Sequence, residues 1–96
     1  MIVLTAVLKT VDGRGDEVEA KFKELVPKVL NDPGALAYTV HRAVDDPNKF
    51  LVYERYENEE ALKYHGGTDH FKEFGRSTRE MFAARAELQF YKVVTE

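Results

Sequence analysis

The segment FLVYERYENEEALKYHGGTDHFKEF, which spans Phe50–Phe74, carries several structural signals in succession. Its first residues are mostly aromatic or aliphatic, which is typical of a strand. Asn58 follows as a helix N-cap, and Gly66 and Gly67 end that helix. Thr68 then caps a second helix. The segment therefore predicts a strand followed by two short helices that meet at a glycine pair.

The chain before this segment predicts a strand and a long helix. Ile2–Lys9 is almost continuously apolar, as expected for a central strand with two buried faces. Asp16 and Glu19 have the spacing of a capping box, and the helix that follows carries an apolar stripe on one face. Pro27 lies inside this pattern, so we expect a kink there or a last turn set apart from the rest.

The remaining segments complete the order β-α-β-β-α-β. Within residues 36–43 and within residues 49–57, successive side chains alternate between two strand faces. The turn Asp45–Asn48 joins these two ranges, so they predict a hairpin. A final strand follows Ala86. With short right-handed crossovers, this order predicts an α+β, ferredoxin-like fold in which both helices lie on one face of a four-stranded antiparallel sheet. We expect a single domain over residues 1–96.

The second face of this sheet requires a partner. Two helices cover one side only, yet the first, third and last strands carry apolar or aromatic residues on both sides. Large exposed apolar patches mark interfaces. A second copy of the chain carries the same patch, so two copies related by a twofold axis can bury it against each other. We therefore predict a homodimer that packs through the open sheet face.

The composition excludes several classes of function. The chain of 96 residues is 44% hydrophobic and 32% charged, with a net charge of −3 and scattered basic residues, so we expect no nucleic-acid partner. It contains no cysteine, which excludes disulfides, thiolate metal sites and cysteine nucleophiles. The apolar MIVLTAVL at the N-terminus is too short to span a bilayer and has no basic leader. We therefore expect a cytoplasmic protein with no membrane partner.

The glycines and acidic residues near the histidines do not match established cofactor motifs. His65 and His70 lie five residues apart with Asp69 between them, a spacing that fits no metal-ligand motif, and Asp69 is explained by its place in a helical first turn. Neither glycine cluster has the pattern of a phosphate-binding loop. We predict no metal and no cofactor.

The sequence resembles a known family. VYERYENEEALKYH followed by TDHF resembles the signature of the antibiotic biosynthesis monooxygenase family, and GALAYTVHR and DPNKFL resemble its hairpin, so the resemblance covers essentially the whole chain. It implies a dimeric α/β barrel. Members of this family carry out cofactor-free oxidation of quinols and anthrones, oxidative haem degradation, or isomerisation of a phosphorylated signalling sugar in autoinducer-2 processing.

The residues needed by the haem-degrading members are absent. Those members use an asparagine on the first strand, a tryptophan on the second helix and a histidine ligand further along. This chain has no tryptophan and no asparagine in its first strand, and it reads Phe74-Gly75-Arg76 where the ligand is expected. The resemblance therefore implies a quinol-type or isomerase-type activity.

Given this resemblance, we predict catalytic roles for three side chains. His65 faces inward and is the expected base, because an imidazole titrates near neutral pH; alternatively, it interacts with the C-terminus of its own helix. His70 is the expected second base or substrate donor, or else a solvated first-turn residue. Tyr53 donates a hydrogen bond to a substrate oxygen, or serves packing alone. The expected aromatic walls of the substrate site are Tyr38, Tyr64, Phe71, Phe74 and Phe82.

Two further polar residues have mainly structural interpretations. Glu54 shares a strand face with Val52 and Tyr56, and its burial without a partner would be costly. We therefore predict a structural salt bridge from Glu54 to Arg42 or Arg55. His41 on the hairpin is expected at an edge or interface.

Three functions remain open at this point. The first is a cofactor-independent monooxygenase that oxidises a small quinol-like or polycyclic phenolic substrate with dioxygen. The second is an isomerase of a small phosphorylated sugar or keto compound, which needs no oxygen. The third is a non-catalytic binder of a small aromatic molecule.

Overall fold

The chain folds into four strands and three α-helices, and the computed structural model describes residues 1–96. The elements in order are β1 (Ile2–Lys9), α1 (Gly15–Leu30), β2 (Ala35–Arg42), β3 (Lys49–Tyr56), α2 (Glu59–Gly66), α3 (Asp69–Thr78), a 3₁₀ turn (Arg79–Met81) and β4 (Glu87–Tyr91). The strands form one sheet in the order β2-β3-β1-β4, and every neighbouring pair is antiparallel. The predicted ferredoxin-like βαββαβ fold is confirmed, with β1 as a central strand.

The strand register assigns each residue to one of two sheet faces. Leu4 lies opposite Glu54 on one neighbouring strand and Phe90 on the other, and Tyr38 also lies opposite Glu54. Directly opposite residues share a face. We call this the covered face, because α1 packs on it and Val18, Phe22, Leu25 and Val29 of α1 join its residues Ala6, Tyr38, Phe50 and Val52 in the main core.

The opposite side of the sheet has no element packed over its middle. Thr5 pairs with Tyr53 and Val7 pairs with Leu51 on this side, which we call the open face. Leu51 is 38% exposed and Tyr53 is half-buried. The sheet therefore has one face that builds the core and one that is available for contact.

The start of α1 differs from the prediction of a capping box. Arg14 is the N-cap residue and no side chain caps the helix. Asp16 and Glu19 instead accept hydrogen bonds from Nη1 of Arg42, at 2.9 and 3.2 Å. The Arg42 guanidinium lies 5.4 Å from the centre of the Phe50 ring. The carboxylates therefore tie α1 to the end of β2, because a charged guanidinium at this distance is a stronger partner than a local backbone amide.

The two predicted caps after β3 are confirmed. Asn58 Oδ1 accepts a hydrogen bond from the Ala61 amide at 2.9 Å, and Thr68 Oγ1 accepts one from the Phe71 amide at 3.3 Å. Gly66 is the last residue of α2 and Gly67 follows as its C-cap. By contrast, α1 runs through Pro27 as one continuous helix and ends at Leu30. The caps set the directions of α2 and α3, and thus the positions of their inward side chains.

Gly34 lies in the turn between α1 and β2 and is constrained in two ways. Its φ is +76°, a conformation that costs other residues free energy, and an added Cβ would lie 2.6 Å from Cβ of Ala61. We expect Gly34→Ala to lower the free energy of unfolding by about 1–2 kcal/mol for backbone strain and about 1–3 kcal/mol more for the overlap with Ala61. Urea unfolding followed by circular dichroism measures this loss.

Gly13 provides the matched control. Its φ is +83°, but nothing lies within 4 Å of an added Cβ, so Gly13→Ala should show the backbone cost alone. Adding Ala61→Gly to Gly34→Ala should recover part of the lost stability. Equal losses in Gly13→Ala and Gly34→Ala would contradict the role assigned to the contact with Ala61.

Candidate active site

A cavity of about 330 Å³ lies between the covered face and helices α1, α2 and α3. Its lining is mostly hydrophobic and includes Leu4, Ala6, Phe22, Val52, Leu62 and Leu88. The lining also contains the polar side chains of Glu54, His65, Tyr38 and Thr78. The volume is at the lower end of the range of about 300–1,000 Å³ that is usual for small-molecule sites. An apolar cavity with a few convergent polar groups is the usual form of such a site.

Glu54 is directed into this cavity by the alternation of β3. Phe50, Val52, Glu54 and Tyr56 all lie on the covered face, and Glu54 is only 7% exposed. The Tyr56 hydroxyl donates a hydrogen bond of 2.6 Å to Glu54 Oε1. Burial raises the pKa of the Glu54 carboxyl, and the hydrogen bond from Tyr56 offsets part of that rise. Glu54 thus binds a proton more readily than an exposed glutamate does.

The predicted salt bridge from Glu54 to Arg42 or Arg55 is wrong. Arg42 binds Asp16 and Glu19, while Arg55 lies on the open face and binds the Tyr53 hydroxyl and Glu96. Alternation along the strand separates Glu54 from its neighbour Arg55, since successive side chains point to opposite faces. The carboxylate therefore belongs to the cavity and has no cationic partner from lysine or arginine.

His65 lies in the last turn of α2 and is buried beside Glu54. Its Nε2 lies 4.0 Å from Glu54 Oε1, which is longer than a hydrogen bond. The imidazole packs against aromatic rings, with centroid distances of 5.5 Å to Tyr38, 5.4 Å to Tyr56 and 4.4 Å to Phe71. Burial lowers the pKa of His65, although the nearby Asp32 carboxylate opposes this effect. The ring is therefore neutral at pH 7 and able to accept a proton.

The two tyrosines beside Glu54 remain hydrogen-bond donors over the physiological pH range. Burial, followed by the charge of Glu54, raises the pKa of Tyr38. Burial and the hydrogen bond to Glu54 raise the pKa of Tyr56. Tyr38 lines the cavity, so its hydroxyl is a candidate donor to a bound oxygen atom. The polar wall of the cavity thus combines proton acceptors with a neutral donor.

The cavity brings together five of the residues singled out in the sequence. His65, Tyr38, Phe71, Phe74 and Phe82 all line it. The positions of His65, Phe71 and Phe74 follow from the two caps and the glycine pair, which direct the inward faces of α2 and α3 toward the same part of the sheet. Tyr38 comes from the covered face of β2, and Phe82 follows the 3₁₀ turn.

The other three predicted site residues lie outside the cavity. Tyr53 is on the open face because β3 alternates, and Tyr64 is 54% exposed because it lies about 100° around the helix axis from the inward residue His65. His70 points away from the cavity, and its Nε2 lies 2.9 Å from Asp32 Oδ2. Of the two histidines, only His65 lines the cavity, although both approach the same carboxylate.

Sequence reasoning missed several contributors to the site. Asp32, in the turn after α1, has no role in the sequence prediction, yet its side chain is 7% exposed and faces His65 and His70. Glu54 and Tyr56 were assigned to the right face but given no part in the site. The sequence signal for Glu54 as a site residue is its place on the inward face of β3, between Val52 and Tyr56. No comparable signal marked Asp32, whose position depends on the turn geometry.

A second, larger hollow is a weaker candidate. It has a volume of about 520 Å³ and lies between α1 and the edge strand β2. Its charged residues include Arg42 and Glu19, which bind each other at 3.2 Å, and Lys23, which binds Glu19 at 3.3 Å. Charged groups already paired at the surface are poor candidates for chemistry.

The fold lacks two features that would point to other classes of site. No group of three or more histidine, aspartate or glutamate side chains is arranged to hold a metal ion. None of the helices combines the length and apolar character that crossing a membrane requires.

Comparison with known proteins identifies relatives of the chain. Residues 1–77 match the family model described as antibiotic biosynthesis monooxygenase. YcnE of Bacillus subtilis, which is named as a proposed monooxygenase, is 30% identical over 84 residues, covering 88% of each protein. A crystal structure from Caulobacter crescentus, named as a proposed antibiotic biosynthesis monooxygenase, is 34% identical with a TM-score of 0.90, covering 98% of this chain and 90% of that chain.

A third relative is longer than this chain. The protein sll1783 of Synechocystis is 28% identical over 92 residues, which are 96% of this chain but 63% of that protein. The match over residues 1–77 and the identity to YcnE along most of both proteins give the same assignment. The chain belongs to the antibiotic biosynthesis monooxygenase family.

Proposed function

We propose that the protein is a cofactor-independent monooxygenase that oxidises a small quinol-like or polycyclic phenolic substrate with dioxygen. The observation that carries this proposal is the apolar cavity with Glu54 and His65 side by side on one wall. Relatives named as proposed monooxygenases support the reaction class. The small volume favours a quinol over a larger polycyclic substrate.

The proposed reaction requires little from the protein beyond a base and a dry site. Removal of a hydroxyl proton makes the quinol electron-rich enough to pass one electron to dioxygen, and the semiquinone and superoxide then combine at a ring carbon. Loss of water from this hydroperoxide leaves a hydroxyquinone, so one quinol and one dioxygen give one hydroxyquinone and one water. His65, with Glu54 beside it, accepts the first proton, and the apolar walls exclude solvent.

Tyr38 is the proposed donor to the developing oxyanion. Its buried hydroxyl stays protonated, so it can donate to a substrate oxygen without itself losing a proton. The cavity wall offers one imidazole and one carboxylate, fewer than the three protein ligands of a catalytic zinc site. In the proposed chemistry, the deprotonated quinol itself is the source of electrons for dioxygen.

An isomerase is the second candidate, and the pairing of Glu54 with His65 favours it. Two proton-transfer groups on one wall could remove a proton next to a carbonyl and return it at another position. The cavity lining contains no lysine or arginine, which are the usual partners of phosphate. Within this class, a keto compound is therefore favoured over a phosphorylated sugar.

We also propose that the protein forms a homodimer through the open face. Val7, Leu51 and Tyr53 lie together there, and Thr5 and Thr39 extend the same surface. A second copy related by a twofold axis would bury these side chains and leave each cavity within one subunit.

His65 is the first residue to test by mutation. We expect His65→Gln to lower oxygen uptake with a menadiol-type substrate by about 10²–10⁴-fold, because the base is lost while the shape is kept. Glu54→Gln should also lower the rate. Oxygen-electrode measurements, corrected for spontaneous oxidation, check this, and Tyr64→Phe on the exposed side of α2 is the matched control.

Activity that persists without oxygen would favour the isomerase, and stabilisation by the quinol without turnover would favour a binder.

The pH dependence of the reaction identifies the titrating base. Because burial lowers the pKa of His65 from its ordinary value of 6.5, the neutral, active imidazole persists below that pH. We therefore expect the acid limb of kcat/KM to have its midpoint below pH 6.5, with the rate falling as pH decreases. The limb should remain in Glu54→Gln. Its disappearance in that variant would assign the base to Glu54 instead.

The proposed dimer can be tested at one residue. Leu51→Glu places a charge on the open face of each subunit, and the two copies of that charge would repel one another across a twofold interface. Sedimentation should give twice the 11.0 kDa of the chain for the natural protein and one chain for Leu51→Glu. Val44→Glu, in the fully exposed hairpin turn, is the control and should leave the dimer intact. A monomeric natural protein at micromolar concentration would overturn the proposal.

A further inference from the structure

A buried carboxylate lies behind the wall of the cavity and faces two histidines. The side chain of Asp32 is 7% exposed, and its Oδ2 accepts a hydrogen bond of 2.9 Å from His70 Nε2. The same oxygen lies 4.0 Å from His65 Nδ1. No lysine or arginine pairs with Asp32. A buried carboxylate needs compensating partners, and here His70 forms the hydrogen bond while His65 Nδ1 lies beyond hydrogen-bond distance.

His65 therefore stands between two carboxylates at equal distances. Its Nε2 faces Glu54 in the cavity and its Nδ1 faces Asp32 outside it, each at 4.0 Å. Nδ1 is the only buried side-chain nitrogen or oxygen atom that has no hydrogen-bond partner. Such atoms are uncommon in folded proteins and require an explanation. A shift of about 1 Å would bring it within hydrogen-bond distance of Asp32.

His70 is the outermost group in the series His65, Asp32 and His70. Its side chain is 22% exposed, compared with 5% for His65. It lines two surface hollows, one shared with Lys28 and Glu73 and the other with Lys63 and Asp69. An imidazole can receive a proton on one nitrogen and release one from the other. His70 is thus the point at which the series meets solvent.

We infer that Asp32 and His70 carry protons between solvent and the buried ring of His65, so that this base can exchange protons with water during each turnover. This inference rests on the proposed function. The quinol proton arrives at His65 Nε2, and the Nδ1 proton passes to Asp32 Oδ2. In the tautomer that leaves its Nε2 unprotonated, His70 accepts this proton and releases the one on Nδ1 to water. The same groups later return one proton to the peroxide, so that the conversion of one quinol and one dioxygen to one hydroxyquinone and one water stays balanced. Asp32 and His70 act through His65 and touch no substrate, so they are relay residues.

The groups that face this path come from every element around it. Asp32 belongs to the turn after α1, Tyr38 to β2, Glu54 and Tyr56 to β3, and His70 to α3. The surface groups near His70 are Lys21, Glu24, Lys28, Lys63, Asp69 and Glu73. Only Asp32 lies between the two histidines within salt-bridge distance of both. The carboxylate also raises the pKa of His65, as expected for a group that stabilises the protonated ring.

A purely structural link between α3 and the turn would use the same contacts, so the test must measure proton movement. In weakly buffered solution we expect His70→Ala to lower kcat at least about tenfold with KM unchanged. Added imidazole buffer should restore kcat in a concentration-dependent way, whereas the natural protein should not respond. Glu73→Gln, beside His70 but outside the path, is the control. A lowered kcat that imidazole does not restore would overturn the relay.

A second measurement does not depend on turnover. Nuclear magnetic resonance of ¹⁵N-histidine-labelled protein reports the exchange of the His65 ring proton with water and the pKa of His65. We expect both Asp32→Asn and His70→Ala to slow the exchange, and Asp32→Asn also to lower the pKa. Unchanged exchange in both variants would refute the relay. Absence of quinol oxidation in the natural protein, with slowed exchange in the variants, would refute the proposed function alone.

Discussion

The burial of the Glu54 carboxylate is the constraint on which the arrangement of the site depends. Alternation along β3 fixes this side chain on the covered face, since a one-residue shift would also expose Val52 and Tyr56. The surrounding residues compensate for the lost hydration, with a hydrogen bond from the Tyr56 hydroxyl and the neutral ring of His65 nearby. The raised pKa of Glu54 and the lowered pKa of His65 have the same cause, which is exclusion of water from one small volume.

The cavity itself results from the way the second half of the chain is divided. A single long helix after β3 would cover the sheet as α1 does, but the division at Gly66 and Gly67 produces two short helices with separate directions. Phe71 and Phe74 of α3 then form a wall that is separated from the sheet. The cap at Asn58 and the tight turn at Gly34 fix the start of α2, which determines where His65 lies.

The sequence was sufficient for the element order, the sheet faces and the caps, because these follow from local periodicity and from single residues such as Asn58 and Thr68. It was insufficient wherever a side chain had several possible partners. Asp16 had the spacing of a cap but binds Arg42, which is distant in sequence. His70 had the same predicted target as His65, yet it contacts Asp32, whose position is set by a turn that no periodic pattern describes.

The position of β4 has a consequence for movement of ligands into the cavity. This strand pairs only with β1, all five of its residues are exposed, and it is far from β1 in sequence. The free energy of local unfolding is lowest for elements that bury few side chains and whose pairing closes a long loop, because closing that loop costs entropy. Leu88 and the preceding Ala86 line the cavity, so detachment of this edge would widen its mouth while the β2-β3-β1 ladder stays intact. The wall that β4 contributes is therefore the part of the cavity that we expect to be displaced at the lowest cost in free energy.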